Sequence, residues 1–312
     1  MKDYNIPDDS LEFRFDVFKQ LMTPINDYCD GAMDYCVATP IIKNKSLEER
    51  LFACFIFSLT YSFSTTLILS EEFSEMKNLK SGNFEKFYNE YQKSLYFSKD
   101  RAKLKHLKQV VPSVESVLNV TNGNLSEYVL PNISEGLEPL FKTITKDWKY
   151  FGAFGTYLFF DGIQGFCPEI YKSELQIDWK SGNAKRTLIK GIRILLGKDN
   201  ESLDRPLSQE ELDEYEKAVS SWSKEYGWAM NNIESALCFL YKLFKGTRYF
   251  GYYADRLLEE SYFSEELLKK YSIDVWKLRE ETIPNKFRGE LENRWRGIRK
   301  VRMNRFLLLG EL

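Results

Sequence analysis

A chain of 312 residues, 43% of them hydrophobic, has enough apolar material for one large domain or two modest ones. Its 44 basic and 46 acidic residues leave a net charge of -2, which excludes nucleic-acid binding through an overall basic excess and requires a local basic patch instead. Five scattered cysteines without a CxxC pair, and His106 as the lone histidine, argue against a standard zinc site, and no cofactor signature is present.

The cysteines read as small buried hydrophobes. The 15% aromatic content has two readings, core filling and stacking platforms for bases. The acidic, polar start MKDYNIPDD does not resemble a signal peptide. Residues 51–69 are apolar but rich in Ser and Thr, and read as a buried helix rather than a membrane span. The expectation is a cytoplasmic chain with no membrane partner.

In chain order, Phe15, Phe18 and Met22 at helical spacing predict a helix over 11–22, closed by Pro24. Residues 27–40 are less regular; Tyr28 and Tyr35 pack a loop or line a groove. Ser46-Leu47-Glu48-Glu49 is a capping box and opens one long, largely apolar helix predicted over 47–73. Within it Tyr61 and Ser62 can approach a ligand, though nothing local demands it. An amphipathic segment over 83–96 follows, with Phe84, Phe87, Tyr88 and Tyr91 toward one side. The run from Lys99 to Lys108 is basic, and is either a solvated face or a phosphate contact. Pro112 starts or interrupts the next helix. The turn Val120-Thr-Asn-Gly-Asn, Pro131 and Gly136 permit a subdomain boundary near 120–135 in what otherwise reads as a single large helical domain over 1–312.

A helix over 137–146 precedes the strongly apolar stretch 148–166, whose glycines at 152, 155, 162 and 165 allow helix backbones to approach closely. Asp161 lies inside that apolar run. A buried carboxylate there must be hydrogen-bonded, paired or partly protonated; it either organises the fold or serves catalysis or ligand binding. Asp178 precedes the turn Lys180-Ser181-Gly182-Asn183, and is either a cap or a catalytic carboxylate. The turn leads into a helix over 184–196, a start suited to an anion such as DNA phosphate. Lys180, Lys185, Arg186, Lys190 and Arg193 supply positive charge near it, while Leu188, Ile189, Ile192 and Leu195 form the packing side. Ser208-Gln209-Glu210-Glu211 is a second capping box opening a helix over 209–224. After Gly227, residues 226–244 read as another helix, with Glu234, Cys238 and Lys242 at successive turns of one face. Arg248 follows, and residues 256–268 are mixed, with Ser264 as a helix cap. Residues 286–306 form a basic amphipathic segment in which Arg294, Arg296, Arg299, Lys300 and Arg302 either contact DNA or cover a solvated capping helix.

Three blocks over 148–248 resemble, in order, phage enzymes that hypermodify thymine-derived bases in DNA. These are the amino-acid:DNA transferases and the alpha-glutamyl/putrescinyl-thymine pyrophosphorylases, which are similar to helix-hairpin-helix DNA glycosylases. The first block is an aromatic, glycine-containing helix ending in an acid, Phe151-Gly152-Ala153-Phe154-Gly155 through Asp161. The second has Trp179, Gly182, Ala184 and Gly191; the third has Glu234, Leu237, Cys238, Phe239, Lys242, Gly246 and Arg248. The 180–183 turn departs from the Pro/Gly-richer family turn.

The resemblance implies a mainly α, DNA-glycosylase-like fold with a helix-hairpin-helix-type core. It implies transfer of an amino acid or other amine to a phosphoryl-activated 5-hydroxymethyluracil in double-stranded DNA, with phosphate or pyrophosphate released. The enzyme is expected to be phage-encoded and to act in the host cytoplasm. Asp161, Glu234 and Asp178 are the expected catalytic carboxylates, and Trp179, Lys180, Asn183, Lys185, Arg186, Lys242 and Arg248 the expected substrate contacts. The modified base would leave the helix stack to react. Two other classes remain open at this point: a DNA glycosylase, and a helical DNA-binding protein without catalysis.

Overall fold

The structure is a computed structural model that describes residues 10–28, 33–98, 109–134, 136–171, 177, 179, 184–198, 207–245, 257 and 260–282. The fold is mainly helical, and no strand occurs among the described residues. Its helices are α1 (Leu11–Tyr28), α2 (Met33–Ile42), α3 (Leu47–Thr60), α4 (Phe63–Phe73), a 3-10 helix (Met76–Gly82), α5 (Asn83–Tyr91), α6 (Val110–Thr121), α7 (Leu125–Ser134), α8 (Leu137–Asp147), α9 (Ala153–Phe166), α10 (Ala184–Leu195), α11 (Gln209–Tyr226), α12 (Met230–Phe244), α13 (Glu265–Lys270) and α14 (Val275–Thr282). Contacts divide the chain into two units. Unit 1 comprises Met1–Met33, Glu174–Tyr252 and Lys286–Leu312; unit 2 comprises Asp34–Ser173 and Tyr253–Asn285. The breaks over 120–135 lie inside unit 2, where the turn after Thr121 joins α6 to α7. Among the described residues no helix is long and apolar enough to cross a membrane.

Unit 2 is built on α3. Every residue from Leu51 to Thr60 is buried, so this helix is covered all round, by α9, α4 and α7 among others. Its capping box forms as the sequence predicts. The Glu49 amide donates to the Ser46 hydroxyl, and the Ser46 amide donates to the Glu49 carboxylate. The neighbouring Glu48 accepts from the Leu125 and Ser126 amides at 2.8 and 2.7 Å, and so caps the start of α7 as well. Aromatic side chains fill this core: Trp148 meets Phe55, Phe151 and Phe159 edge to face.

The single helix expected over 47–73 is two helices. Tyr61 takes a left-handed conformation (φ 48°) and ends α3; Ser62 then caps α4 by accepting from the Thr65 amide. A helix start this deeply buried needs acceptors for its amides. Glu260 supplies one carboxylate oxygen to both the Ser62 hydroxyl (2.8 Å) and the Phe63 amide (3.1 Å), and its negative charge suits a helix N-terminus. Tyr61 and Ser62 are thus buried at a joint inside unit 2.

The α3–α9 crossing depends on a glycine. A Cβ on Gly162 would lie 3.0 Å from the Cβ of Cys54 and 3.1 Å from its Cα. Cys54 and Cys167 are buried free thiols at this crossing. Burial, then the neighbouring Cys167, pushes the Cys54 thiol well above its ordinary pKa. Arg50 closes the end of α9, donating to the Phe166 carbonyl at 2.8 Å while it pairs with the Glu169 carboxylate.

Unit 1 packs α1, α10 and α11 against α12. Helix α1 does not stop at Pro24 but continues to Tyr28. Phe18, Leu21, Met22 and Ile25 form one buried stripe across the proline, and their burial offsets the roughly 3 kcal/mol a helical proline costs. Pro112, in contrast, sits in the first turn of α6, where its missing N–H is no loss. The second capping box, Ser208 with Glu211, also forms, and Gly227 ends α11 with φ 69°.

Candidate functional site

Helices α10 and α12 cross with their backbones in direct contact. A Cβ added at Gly191 would lie 2.1 Å from the Leu237 carbonyl oxygen, so no other residue fits there without separating the helices. The sequence makes this crossing readable. Leu188, Ile189, Ile192 and Leu195 face inward on α10, and Ile233, Ala236, Leu237, Leu240 and Phe244 do so on α12.

The opposite face of α12 carries Glu234, Cys238 and Lys242, all half-buried and one turn apart, as their spacing predicts. Lys245 stands exposed just beyond the helix end, and Lys190 half-buried on α10. Between them lies Tyr241, a buried residue at 7% exposure. The Lys190 ammonium donates to its hydroxyl at 3.2 Å and the Lys245 ammonium at 3.4 Å. Both, with Lys242, lie over the ring, 4.9, 5.8 and 5.9 Å from its centroid. Burial by itself pushes the Tyr241 phenol up. Hydrogen bonding and charge from Lys190, followed by those from Lys245, outweigh burial and hold the phenol below the ordinary tyrosine pKa.

Arg193 departs from the expected anion-facing role. It is 2% exposed, donates from Nε to the Tyr215 hydroxyl at 2.9 Å, and pairs with Glu211 at 2.9 Å. Glu211 therefore serves twice, closing its own capping box with one oxygen and holding Arg193 with the other. The reason is rotational: Arg193 follows Ile192 and precedes Ile194 on the turn of α10 that packs into unit 1, so its charge points inward. Trp179 is 5% exposed, with its ring 5.7 Å from that of Tyr215, and so anchors the chain before α10 against α11.

Asp161 is 1% exposed within α9 of unit 2, whereas Glu234 and Lys242 belong to unit 1. Lys185 and Arg186 fall in the first turn of α10, but their side chains lie outside the described residues. So do Asp178, Lys180, Asn183, Arg248 and the arginine-rich set Arg294, Arg296, Arg299, Lys300 and Arg302, and the basic run over 99–108. Sequence reasoning missed Tyr241 and Lys245 as partners of Lys190. Their signal was the spacing Tyr-Lys-x-x-Lys at the end of an apolar helix, which places two lysines around the tyrosine, but only the α10 crossing brings in the third.

No family model matches the chain, and no curated protein or solved structure matches it.

Proposed function

We propose that the chain modifies bases in DNA, transferring an amino acid or another amine to a phosphoryl-activated 5-hydroxymethyluracil with release of phosphate or pyrophosphate. The α10–α12 crossing supports this reading. Gly191 of the second sequence block lies on one helix and Leu237 of the third on the other, and the glycine is what permits their approach. Beside the crossing, one face of α12 offers a carboxylate, Glu234, and an ammonium, Lys242.

These are the charges that the displacement requires. The amine nitrogen attacks the exocyclic carbon of the base, and the carbon–oxygen bond to the phosphoryl group breaks. Glu234 accepts the proton that the amine loses. Lys242 stabilises the charge on the departing phosphate, together with Arg248 and the basic turn at 180–186. The arginines of 286–306 hold the duplex. A DNA-glycosylase-like arrangement with a helix-hairpin-helix-type core belongs to the same proposal.

Duplex DNA carrying phosphorylated 5-hydroxymethyluracil is incubated with the protein and a panel of amino acids and polyamines, then digested and analysed by nucleoside mass. An amine adduct is the expected product. Free base with an abasic site identifies a glycosylase instead. An unchanged nucleoside profile with duplex still bound identifies a noncatalytic DNA-binding protein. Either of the last two results overturns the transfer reading.

A further inference from the structure

The cluster around Tyr241 has a property that the transfer reading does not use. Lys190 and Lys245 bond the same oxygen, so their nitrogens are no farther apart than the two hydrogen bonds laid end to end. Like charges this close repel. Some other lysines among the described residues stand against carboxylates, as in Lys45 with Glu71, Lys142 with Glu138 and Lys269 with Glu265. Among the described residues, neither Lys190 nor Lys245 has such a counter-charge. The carboxylate on the same face of α12, Glu234, lies about two turns before Lys242 and about three before Lys245.

Each ammonium has three protons and directs one at Tyr241, which leaves others for an incoming acceptor. The phenol itself, which accepts from both lysines, has its own hydroxyl proton to give and adds a further donor between them. Three neighbouring donors suit a phosphate, whose oxygens offer more acceptor positions than the two of a carboxylate. A multiply charged ligand also relieves the mutual repulsion of the lysines, as a neutral one does not.

We propose that Lys190, Tyr241 and Lys245 form a seat for a phosphate group, with Lys242 at its rim. The seat stands on the α10–α12 geometry and does not depend on the DNA reading. Its phosphate has two sources within that reading, a backbone diester and the phosphoryl group of an activated base.

Calorimetric titration of the full chain with inorganic phosphate tests the seat directly. The variant Lys190→Met/Lys245→Met keeps the aliphatic stems and removes both charges; Tyr241→Phe removes only the hydroxyl. The expected result is binding that weakens about tenfold or more in the double variant and severalfold in Tyr241→Phe, at unchanged melting temperature. Lys142→Met/Lys269→Met, which removes two lysines elsewhere, should leave the affinity as it was. Absence of phosphate binding to the unaltered chain, or equal binding by the double variant, overturns the seat.

Two duplexes then separate the sources. If unmodified duplex loses affinity in the double variant, the seat holds backbone; if only duplex with phosphorylated 5-hydroxymethyluracil does, it holds the activated base. Phosphate binding that the variants abolish, in a chain that binds no duplex, upholds the seat and removes the DNA reading. Duplex modified at full rate by the double variant, with phosphate binding also undiminished, upholds the DNA reading and removes the seat.

Discussion

The backbone carbonyl of Leu237 occupies the place where a side chain at Gly191 would begin, at 2.1 Å from an ideal Cβ. Gly191→Ala gains about 1 kcal/mol of helix propensity, but forces α10 away from α12 along the main contact of unit 1. The expected net effect is a loss of about 1–3 kcal/mol or more, read from the denaturation midpoint. Gly155→Ala is the contrasting case. Its new Cβ meets the Phe151 ring at 3.3 Å, a side chain rather than a backbone atom, so a near-neutral result is expected. Equal effects at the two positions would show that the crossing is not as tight as the backbone contact requires.

The Arg193–Glu211 pair makes a second prediction. Both groups are held inside unit 1, and Tyr215 shares the arginine. Glu211→Ala removes the carboxylate paired with a guanidinium of 2% exposure and also breaks the capping box with Ser208. A loss of about 3–5 kcal/mol is expected. Arg193→Met leaves the cap intact and fills the space with an apolar stem, so its cost should be smaller. In a double-mutant cycle the two changes should be clearly less than additive; additivity would mean that the pair carries no coupling.

How far the sequence could be read depends on what each element answers to. Both capping boxes and the α12 face were legible because they follow from contacts within one or two turns. The joint at Tyr61 was not, because its acceptor is Glu260, nearly 200 residues away (|i−j| = 198 to Ser62). Helix α1 crosses Pro24 for a similar reason, since burial against unit 1 outweighs a local breaker. Within the candidate site, Glu234 and Lys242 were legible from helical spacing. Arg193 was misread because positive charge in a sequence carries no direction until the packing face is fixed. Tyr241 was invisible as a partner of Lys190 because the two lie on different helices.

Arg50 and Glu169 set an acid limit on unit 2. The hydrogen bond from Arg50 holds the Glu169 carboxyl below the usual glutamate pKa, against the opposing effect of burial. A depressed folded pKa contributes stability that is fully present above the unfolded value and is lost as pH falls through the folded one. Melting temperature should therefore decline below about pH 5, and Glu169→Gln should flatten part of that decline while lowering stability near neutrality. A variant with an unchanged acid slope would place the acid sensitivity elsewhere.

Tyrosinate absorbance during an alkaline titration tests the charge around Tyr241. Its phenol is held below the ordinary value, while burial pushes Tyr88 up to about 12 and, with their acidic neighbours, raises Tyr128 and Tyr271. The earliest tyrosine to ionise should disappear in Tyr241→Phe and shift upward in Lys190→Met. An early phase that survives both changes belongs to another tyrosine.

Glu234 and Asp161 divide the catalytic proposal between a half-buried and a fully buried carboxylate. Glu234 is half-buried on α12; Asp161, at 1% exposure, lies beside the buried Leu158, Phe159, Phe160 and Ile163 of α9 in unit 2. If Glu234 is the proton acceptor, Glu234→Gln should lower turnover by about 10²–10⁴-fold and cost less stability than Asp161→Asn. Duplex affinity should persist. Asp161→Asn alters a buried hydrogen-bonding group and should cost about 1–3 kcal/mol of stability, with turnover per folded molecule retained. Nucleoside mass analysis for turnover, paired with chemical denaturation for stability, separates the two roles. Full activity in Glu234→Gln, with activity lost in a stably folded Asp161→Asn, would move the catalytic assignment to Asp161.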